Sequence, residues 1–293
     1  MNIIGHKYIF LTISSLLVLA SIVVSIFWGL KLGIDYTGGS LLEVEFKDKR
    51  PEVDEIKKVL ESISLGGVII QPAGERGLIL RFKDVDENTH QALLQSLAGS
   101  EEKRFDSIGP VIGRELKRKS VTALFLALSA IILYIAFAFR KVSKPVSSWK
   151  YGVVAIFALI HDIIIPIGVF SILGHFWGVE VDTLFITALL TILGFSVHDT
   201  IVVFDRIREN LQKLKSPEPY TITVNRSVNE TITRSINTSL TVLLVLLMVI
   251  FIGGDTTKFF ALTLILGIIF GTYSSIFVAA PLLVIWDKWT KND

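Results

Sequence analysis

Six long apolar runs dominate the chain, at about Tyr8–Leu30, Val121–Phe139, Tyr151–Leu173, Thr183–Phe204, Ser235–Ile252 and Phe259–Trp286. Each approaches or exceeds the roughly 17 to 25 residues that a membrane-spanning helix needs. The last is long enough to tilt or to extend beyond the bilayer. A soluble domain scatters its apolar residues, whereas here they are blocked, with 51% hydrophobic residues and a mean hydropathy of +0.61. The first run is too long for a signal-peptide core and lacks an Ala-x-Ala-type cleavage site, so it reads as a retained helix.

Charge in the short connections sets the expected orientation. The second connection carries Arg140, Lys141, Lys144 and Lys150, and the fourth carries Arg206, Arg208, Lys213, Lys215 and Arg226. The third, Gly174–Asp182, has no Lys or Arg, and the fifth, Gly253–Lys258, has only Lys258. The positive-inside rule puts the second and fourth connections, and with them both termini, in the cytoplasm. The net charge of +2 gives no reason to expect a nucleic-acid partner. The absence of cysteine excludes disulfides, Cys-ligated zinc and iron–sulfur clusters.

Between the first two runs, residues 31–119 form an expected extracytoplasmic domain. A connection this long is translocated regardless of its charge. Ser40–Phe46 alternates Leu42, Val44 and Phe46 with Leu41, Glu43 and Glu45, as a half-buried strand does. Pro51–Ser64 opens with Pro and acids and places Val53, Ile56, Val59, Leu60 and Ile63 at helical spacing. Val68–Gln71 and Gly77–Phe82 are expected strands around a Pro72-Ala73-Gly74 turn; Asp86–Leu97 is a second helix and Lys103–Ile108 a last strand. The order β-α-β-β-α-β predicts a ferredoxin-like sandwich, a fold that hosts too many activities to identify one. Asp35-Tyr36-Thr37-Gly38-Gly39 reads as a turn entering the domain, since no Lys-Ser/Thr follows as a phosphate loop requires. The expected organisation is therefore residues 1–30 as cytoplasmic N-terminus and first helix, 31–119 as the α+β domain, and 120–293 as helices two to six with a cytoplasmic C-terminus.

Ionisable groups inside the runs mark the expected site. His161-Asp162 lies in the third run and His198-Asp199 in the fourth. A carboxylate at such depth costs roughly 2.5 to 3.5 kcal/mol on insertion scales, so it is a functional candidate by default. Asp199 sits about five residues, roughly 7 Å of rise, from the cytoplasmic end of its run. Pro166 removes the usual helical donor to the Asp162 carbonyl. Arg234 opens the fifth run, where it either snorkels to the interface or reaches towards Asp199. An aspartyl protease dyad would use two such carboxylates, but its Gly-x-Gly-Asp signature is absent. Metal binding by the two His-Asp pairs is disfavoured because helix neighbours project about 100° apart. In the sixth run Gly267 and Gly271, with Ser274 and Ser275, form a small-residue face for helix packing.

These stretches together carry a resemblance. Gly33-Ile34-Asp35-Tyr36-Thr37-Gly38-Gly39, Ile108-Gly109-Pro110-Val111-Ile112-Gly113, His161-Asp162, the stretch from Gly194 to Asn210, Asn237-Thr238-Ser239, Phe251-Ile252-Gly253-Gly254 and Gly271-Thr272-Tyr273-Ser274-Ser275 occur in order and nearly end to end. The chain resembles the SecF branch of the SecD/SecF protein-export membrane proteins, within the RND superfamily. The resemblance implies an α-helical polytopic protein of the bacterial cytoplasmic (inner) membrane, a six-helix RND-type half with a small ferredoxin-like domain. It implies an accessory role in preprotein translocation driven by the proton motive force, not covalent enzyme chemistry. The implied partners are SecD, expected as a separate chain because no SecD-like half precedes this one, the SecYEG channel, the translocating preprotein, YajC and membrane lipid. No cofactor is implied beyond the coupling ion, a proton, with sodium as the alternative. In that family a fourth-helix Asp and an Arg at the start of the fifth helix are linked to proton conduction, and they map onto Asp199 and Arg234. His161, Asp162 and His198 join them as candidate proton-coupling residues. Relatives often have Asn where this chain has His198. The alternative function is an RND-type proton-driven exporter of a small molecule or lipid.

Overall fold

The computed structural model describes residues 1–289 except 62, 64, 66, 139–147 and 215–217. Arg140, Lys141, Lys144 and Lys215, used above for orientation, lie outside the described residues. A 3-10 turn, Ile4–His6, leads into α1 (Lys7–Trp28), and a single turn, α2 (Ile34–Thr37), follows. Then come β1 (Gly39–Phe46), α3 (Val53–Glu61), β2 (Ile69–Ala73), β3 (Gly77–Phe82), α4 (Glu87–Ser96) and β4 (Ser100–Ile108). The remaining helices are α5 (Pro110–Ala138), α6 (Ser148–Trp177), α7 (Thr183–Lys213), α8 (Tyr220–Ile252), α9 (Asp255–Ser274) and α10 (Ala280–Trp289), with a π segment, Ser275–Ala279, joining the last two. The chain divides into two compact units, Leu32–Val121 and the residues on either side of it.

The Leu32–Val121 unit is a four-stranded antiparallel sheet in the order β2-β3-β1-β4. With its two main helices this is the ferredoxin-like order of elements. Alternation along β1 and β3 sends Leu42, Val44, Phe46, Leu78, Leu80 and Phe82 to one face. Ile56 and Leu60 of α3 and Leu93 of α4 cover them in a single core. Strand β2 runs through Pro72 and Ala73, which the sequence places in a turn. It is an edge strand paired only with β3, so the missing Pro72 N–H forfeits no ladder bond. Gly38 and Gly39 have φ of +73° and +121°, and a Cβ on either would stand 2.8 Å from backbone of Pro110 or Phe82. Both the left-handed backbone and the close approach require glycine there.

In the membrane unit, six helical stretches are long and apolar enough to cross a bilayer. Helix α7 packs on α6, α8 and α9, and α1 packs on α6. Helix α8 begins at Tyr220, well before the apolar run at Ser235, because its polar first turns also bury Val224, Ser227, Val228 and Thr231. Helix α6 runs through Pro166 without a break. The sixth apolar run is divided by the π segment, immediately before Pro281. The Gly267 and Gly271 face lies directly on α7: a Cβ at Gly267 would come 2.1 Å from Ile192, and one at Gly271 would come 3.2 Å from Ser196. Such backbone proximity is what small residues permit between membrane helices.

Candidate functional site

The interior of the helical bundle holds two carboxylates in a hydroxyl-lined setting. Asp162, on α6, is completely buried. One of its oxygens accepts hydrogen bonds from Ser196 on α7 (2.5 Å) and Ser274 on α9 (2.8 Å). The other takes the Nδ1 of the adjacent His161 at 2.8 Å. Three helices are thereby joined through one side chain. Every Asp162 oxygen has a partner, as a group this deep in apolar surroundings requires.

Asp199 is arranged differently. It is buried on α7, and its Oδ1 accepts from Ser235 of α8 at 2.6 Å. Its Oδ2 has no partner among the described residues. Beside it, Thr200 and Ser275 are 2.8 Å apart, and Ser239 bonds both the Ser235 carbonyl and the Thr272 hydroxyl. Hydroxyls of α7, α8, α9 and the π segment therefore form a polar network around the second carboxylate. Networks of this kind polarise one another, and their members act together. The two carboxylates share no hydrogen bond among the described residues.

Of the five candidate residues, His161 bonds Asp162 directly, whereas His198 and Arg234 make no hydrogen bond with Asp199 among the described residues. His198 is exposed while Asp199 is buried, since neighbours on a helix project about 100° apart. Arg234 is also exposed, and it makes no ion pair or hydrogen bond with Asp199 among the described residues. Its neighbour Ser235 is the residue of α8 that bonds Asp199. His161 does join Asp162, and its Nε2 is buried without a partner. His161 also lines a cavity of about 350 Å³ with Ser14 and Ser15 of α1 and Phe157 and Ile160 of α6. Ser274 and Ser275, expected only to pack, instead donate to Asp162 and meet Thr200.

Missed entirely were Ser196 and Ser235, the two serines that hold the carboxylates from neighbouring helices. A usable signal existed: serines among apolar residues, each on a helix adjoining an intramembrane acid. The sequence alone does not say which helices adjoin.

The described residues of α7 and α8 present a further feature, an exposed polar face. On α7 it comprises Thr187, Thr191, Gly194 and His198, and on α8 Arg234, Asn237, Thr238 and Thr241. These positions fall within stretches apolar enough to span a membrane, where polar groups avoid lipid.

Residues 89–289 match the family described as "Protein export membrane protein SecD/SecF, C-terminal", and residues 29–49 match the "SecD/SecF GG Motif". The chain belongs to the SecD/SecF family. Its curated relatives place it on the SecF side. The protein translocase subunit SecF of Thermobaculum terrenum is 42% identical over 98% of this chain and 94% of its own length. That of Anaerolinea thermophila is 41% identical over 98% and 94%. The crystal structure of SecDF from Thermus thermophilus, described as translocon-associated, superposes with a TM-score of 0.84 at 35% identity, covering all of this chain. The same chain matches SecDF in its super-membrane-facing form with a TM-score of 0.71. In both, this chain spans 39% of the solved SecDF chain. The SecF relatives make it an accessory subunit of protein translocase and do not favour export of a small molecule or lipid. The Gly38-Gly39 corner described above lies within the matched glycine motif.

Proposed function

We propose that this chain pairs with a SecD partner and uses the proton motive force to promote late-stage preprotein translocation at the SecYEG channel. The observation that carries the proposal is Asp199, with one oxygen held by Ser235 and the other without a partner among the described residues of the bundle. An unsatisfied buried carboxylate oxygen is expensive, and taking up a proton or cation relieves it. Exchange of that charge across the α7–α8 contact changes what holds the two helices together. The Ser274 bond to Asp162 and the Thr200–Ser275 bond extend the effect to α9 and the π segment, and π segments recur at functional sites in helices. The mainly apolar cavity beside His161 borders the residue that bonds Asp162.

The polar face of α7 and α8 supports SecD as the group that covers it, bringing His198 and Arg234 into an interior they lack in this chain alone. The two SecDF forms match the same chain at equal identity with TM-scores of 0.84 and 0.71, which favours a fold that changes arrangement during work. In this reading the α+β unit lies outside the cytoplasmic membrane, both termini lie inside, and the unit meets the emerging preprotein. YajC and lipid are further neighbours of the assembled complex.

The deciding experiment measures completion of preprotein export in membrane vesicles containing SecD. The native chain is compared with Asp199→Asn, with the proton gradient intact and collapsed. The proposal requires the native advantage to disappear equally on substitution and on collapse. An Asp199→Asn chain that stays fully gradient-sensitive would refute it, and dependence on a sodium gradient instead would reassign the ion.

A further inference from the structure

Two helices begin at the same end of the membrane unit. Helix α1 opens at Lys7 and α8 at Tyr220, and the extreme N-terminus is tied across them. Ile4 N–H donates to Asn225 Oδ1 at 3.1 Å, while the Asn225 and Asn229 amides donate to the Met1 carbonyl at 3.0 and 2.8 Å. Beside this tie lies a cavity of about 370 Å³, whose polar lining is Asn2, Lys7, Thr221, Asn225 and Arg226. Helix α8 follows Pro219 with no side-chain cap, so the positive end of a 33-residue helix opens here.

Lys7 supplies an independent observation. It is only 7% exposed and lines the cavity, and while its backbone N–H donates to the Ile4 carbonyl, its ammonium makes no hydrogen bond or ion pair with any described residue. Its Nζ lies 4.9 Å from the centroid of the Tyr8 ring. Arg226 shares the cavity and pairs with Glu218 at 2.8 Å, and Glu218 also accepts from Thr223. No carboxylate belongs to the cavity lining among the described residues. A buried ammonium without an anion is costly, and among the described residues the lining offers Lys7 no carboxylate, Glu218 being engaged by Arg226 and Thr223. Along α1 from Lys7, Tyr8, Ile9, Ile13 and Leu16 form an exposed apolar face. An anion-seeking cavity continuous with an apolar helix face matches an amphiphile with an acidic head.

We propose that this cavity binds the phosphodiester of an anionic phospholipid from the adjoining leaflet, its acyl chains lying on the exposed face of α1. Lys7 and Arg226 provide charge, the Thr221 hydroxyl and the start of α8 provide donors, and Tyr8 and Ile9 meet the glycerol and upper chain. The site would anchor the α1–α8 corner, at the end of α8 remote from its membrane-crossing part.

The test uses the full chain purified in mild detergent. Native mass spectrometry measures retention of phosphatidylglycerol against phosphatidylcholine of matched chains. One phosphatidylglycerol should be retained in clear preference, and Lys7→Gln should lower that retention about tenfold, beyond the loss expected from removing one charge near an anionic leaflet. Ile222→Trp, which fills the cavity but keeps Lys7, should do the same, so the site remains testable if one variant fails to fold. Lys213→Gln removes a charge elsewhere and should change retention by less than about twofold. Equal losses in Lys7→Gln and Lys213→Gln would reduce the effect to general surface charge and overturn the site. A Lys7-dependent adduct of inorganic phosphate with no preference between the lipids would assign the cavity to free phosphate. Loss of bound phosphatidylglycerol whenever SecD is present would assign it to a partner carboxylate. Either result overturns the lipid.

Discussion

Ser235 donates its hydroxyl to Asp199 at 2.6 Å, from one membrane helix to the next, and the second carboxylate oxygen has no partner among the described residues. This asymmetry distinguishes Asp199 from Asp162, whose oxygens are all engaged by His161, Ser196 and Ser274. The fully bonded acid links α6, α7 and α9, while Asp199 is held through one oxygen among the described residues.

Ser235→Ala tests that distinction directly. A hydrogen bond to a charged group is worth about 1.5 to 3 kcal/mol. Its loss should impair gradient-driven translocation in vesicles while the chain still inserts and purifies as the native protein does. Ser196→Ala and Ser274→Ala together should instead lower thermal stability, because they strip the buried Asp162 of donors. Activity losses that follow stability alone in both cases would erase the proposed division of labour.

The contact of Gly267 with Ile192 predicts a compensating pair. A Cβ at Gly267 would stand 2.1 Å from the Ile192 side chain. Gly267→Ala should destabilise the bundle by about 1 to 3 kcal/mol, the usual cost of overpacking. Ile192→Ala in the same chain should recover part of that loss. Thermal unfolding in detergent reads both, and a purely additive double variant would mean that the two residues do not meet.

Helix α4 should respond to acid. Asp86 caps it, accepting from the Thr89 hydroxyl at 2.6 Å and the Thr89 N–H at 3.0 Å. The Thr89 hydroxyl bond, followed by the backbone one, holds the Asp86 carboxyl below its ordinary value. The folded form therefore releases this proton more readily than the unfolded form. The stabilisation is complete above the ordinary aspartate value and is lost as pH falls through the lower folded value. Hydrogen exchange of α4 amides should show protection fading over that acid range. Asp86→Asn, itself a good cap, should flatten the dependence.

The polar face of α7 and α8 predicts a dependence on SecD. Asn237→Leu should leave the Ser235–Asp199 bond in place and reduce the SecD recovered with this chain on co-purification. Undiminished recovery would place SecD on another face, such as the exposed apolar surface of α5 at Phe125, Leu133 and Phe137.

The α+β unit depends on one buried layer. Leu80 is wholly buried between β1 and β2, whose residues pair with β3 on both sides. Leu80→Ala should cost about 2 to 5 kcal/mol and lower the exchange protection of β1 and β3 amides first.

The sequence by itself determined the six apolar helices, the β-α-β-β-α-β order, the glycine corner and the two intramembrane acids. These are local properties: run length, period and the cost of a charge in an apolar setting act on neighbouring residues. It could not determine which hydroxyls hold each acid, since Ser196 and Ser274 lie 34 and 112 positions from Asp162, and Ser235 lies 36 from Asp199. A serine in an apolar helix can also satisfy itself on the carbonyl four residues back, as Ser171 does, so its presence alone predicts no partner. Only tertiary packing left His198 exposed while Asp199 was buried, put the Ser235 hydroxyl on Asp199, and buried Lys7 beside the start of α8. One residue is a 100° turn of helix, and which side of that turn becomes interior is decided by the neighbouring helices.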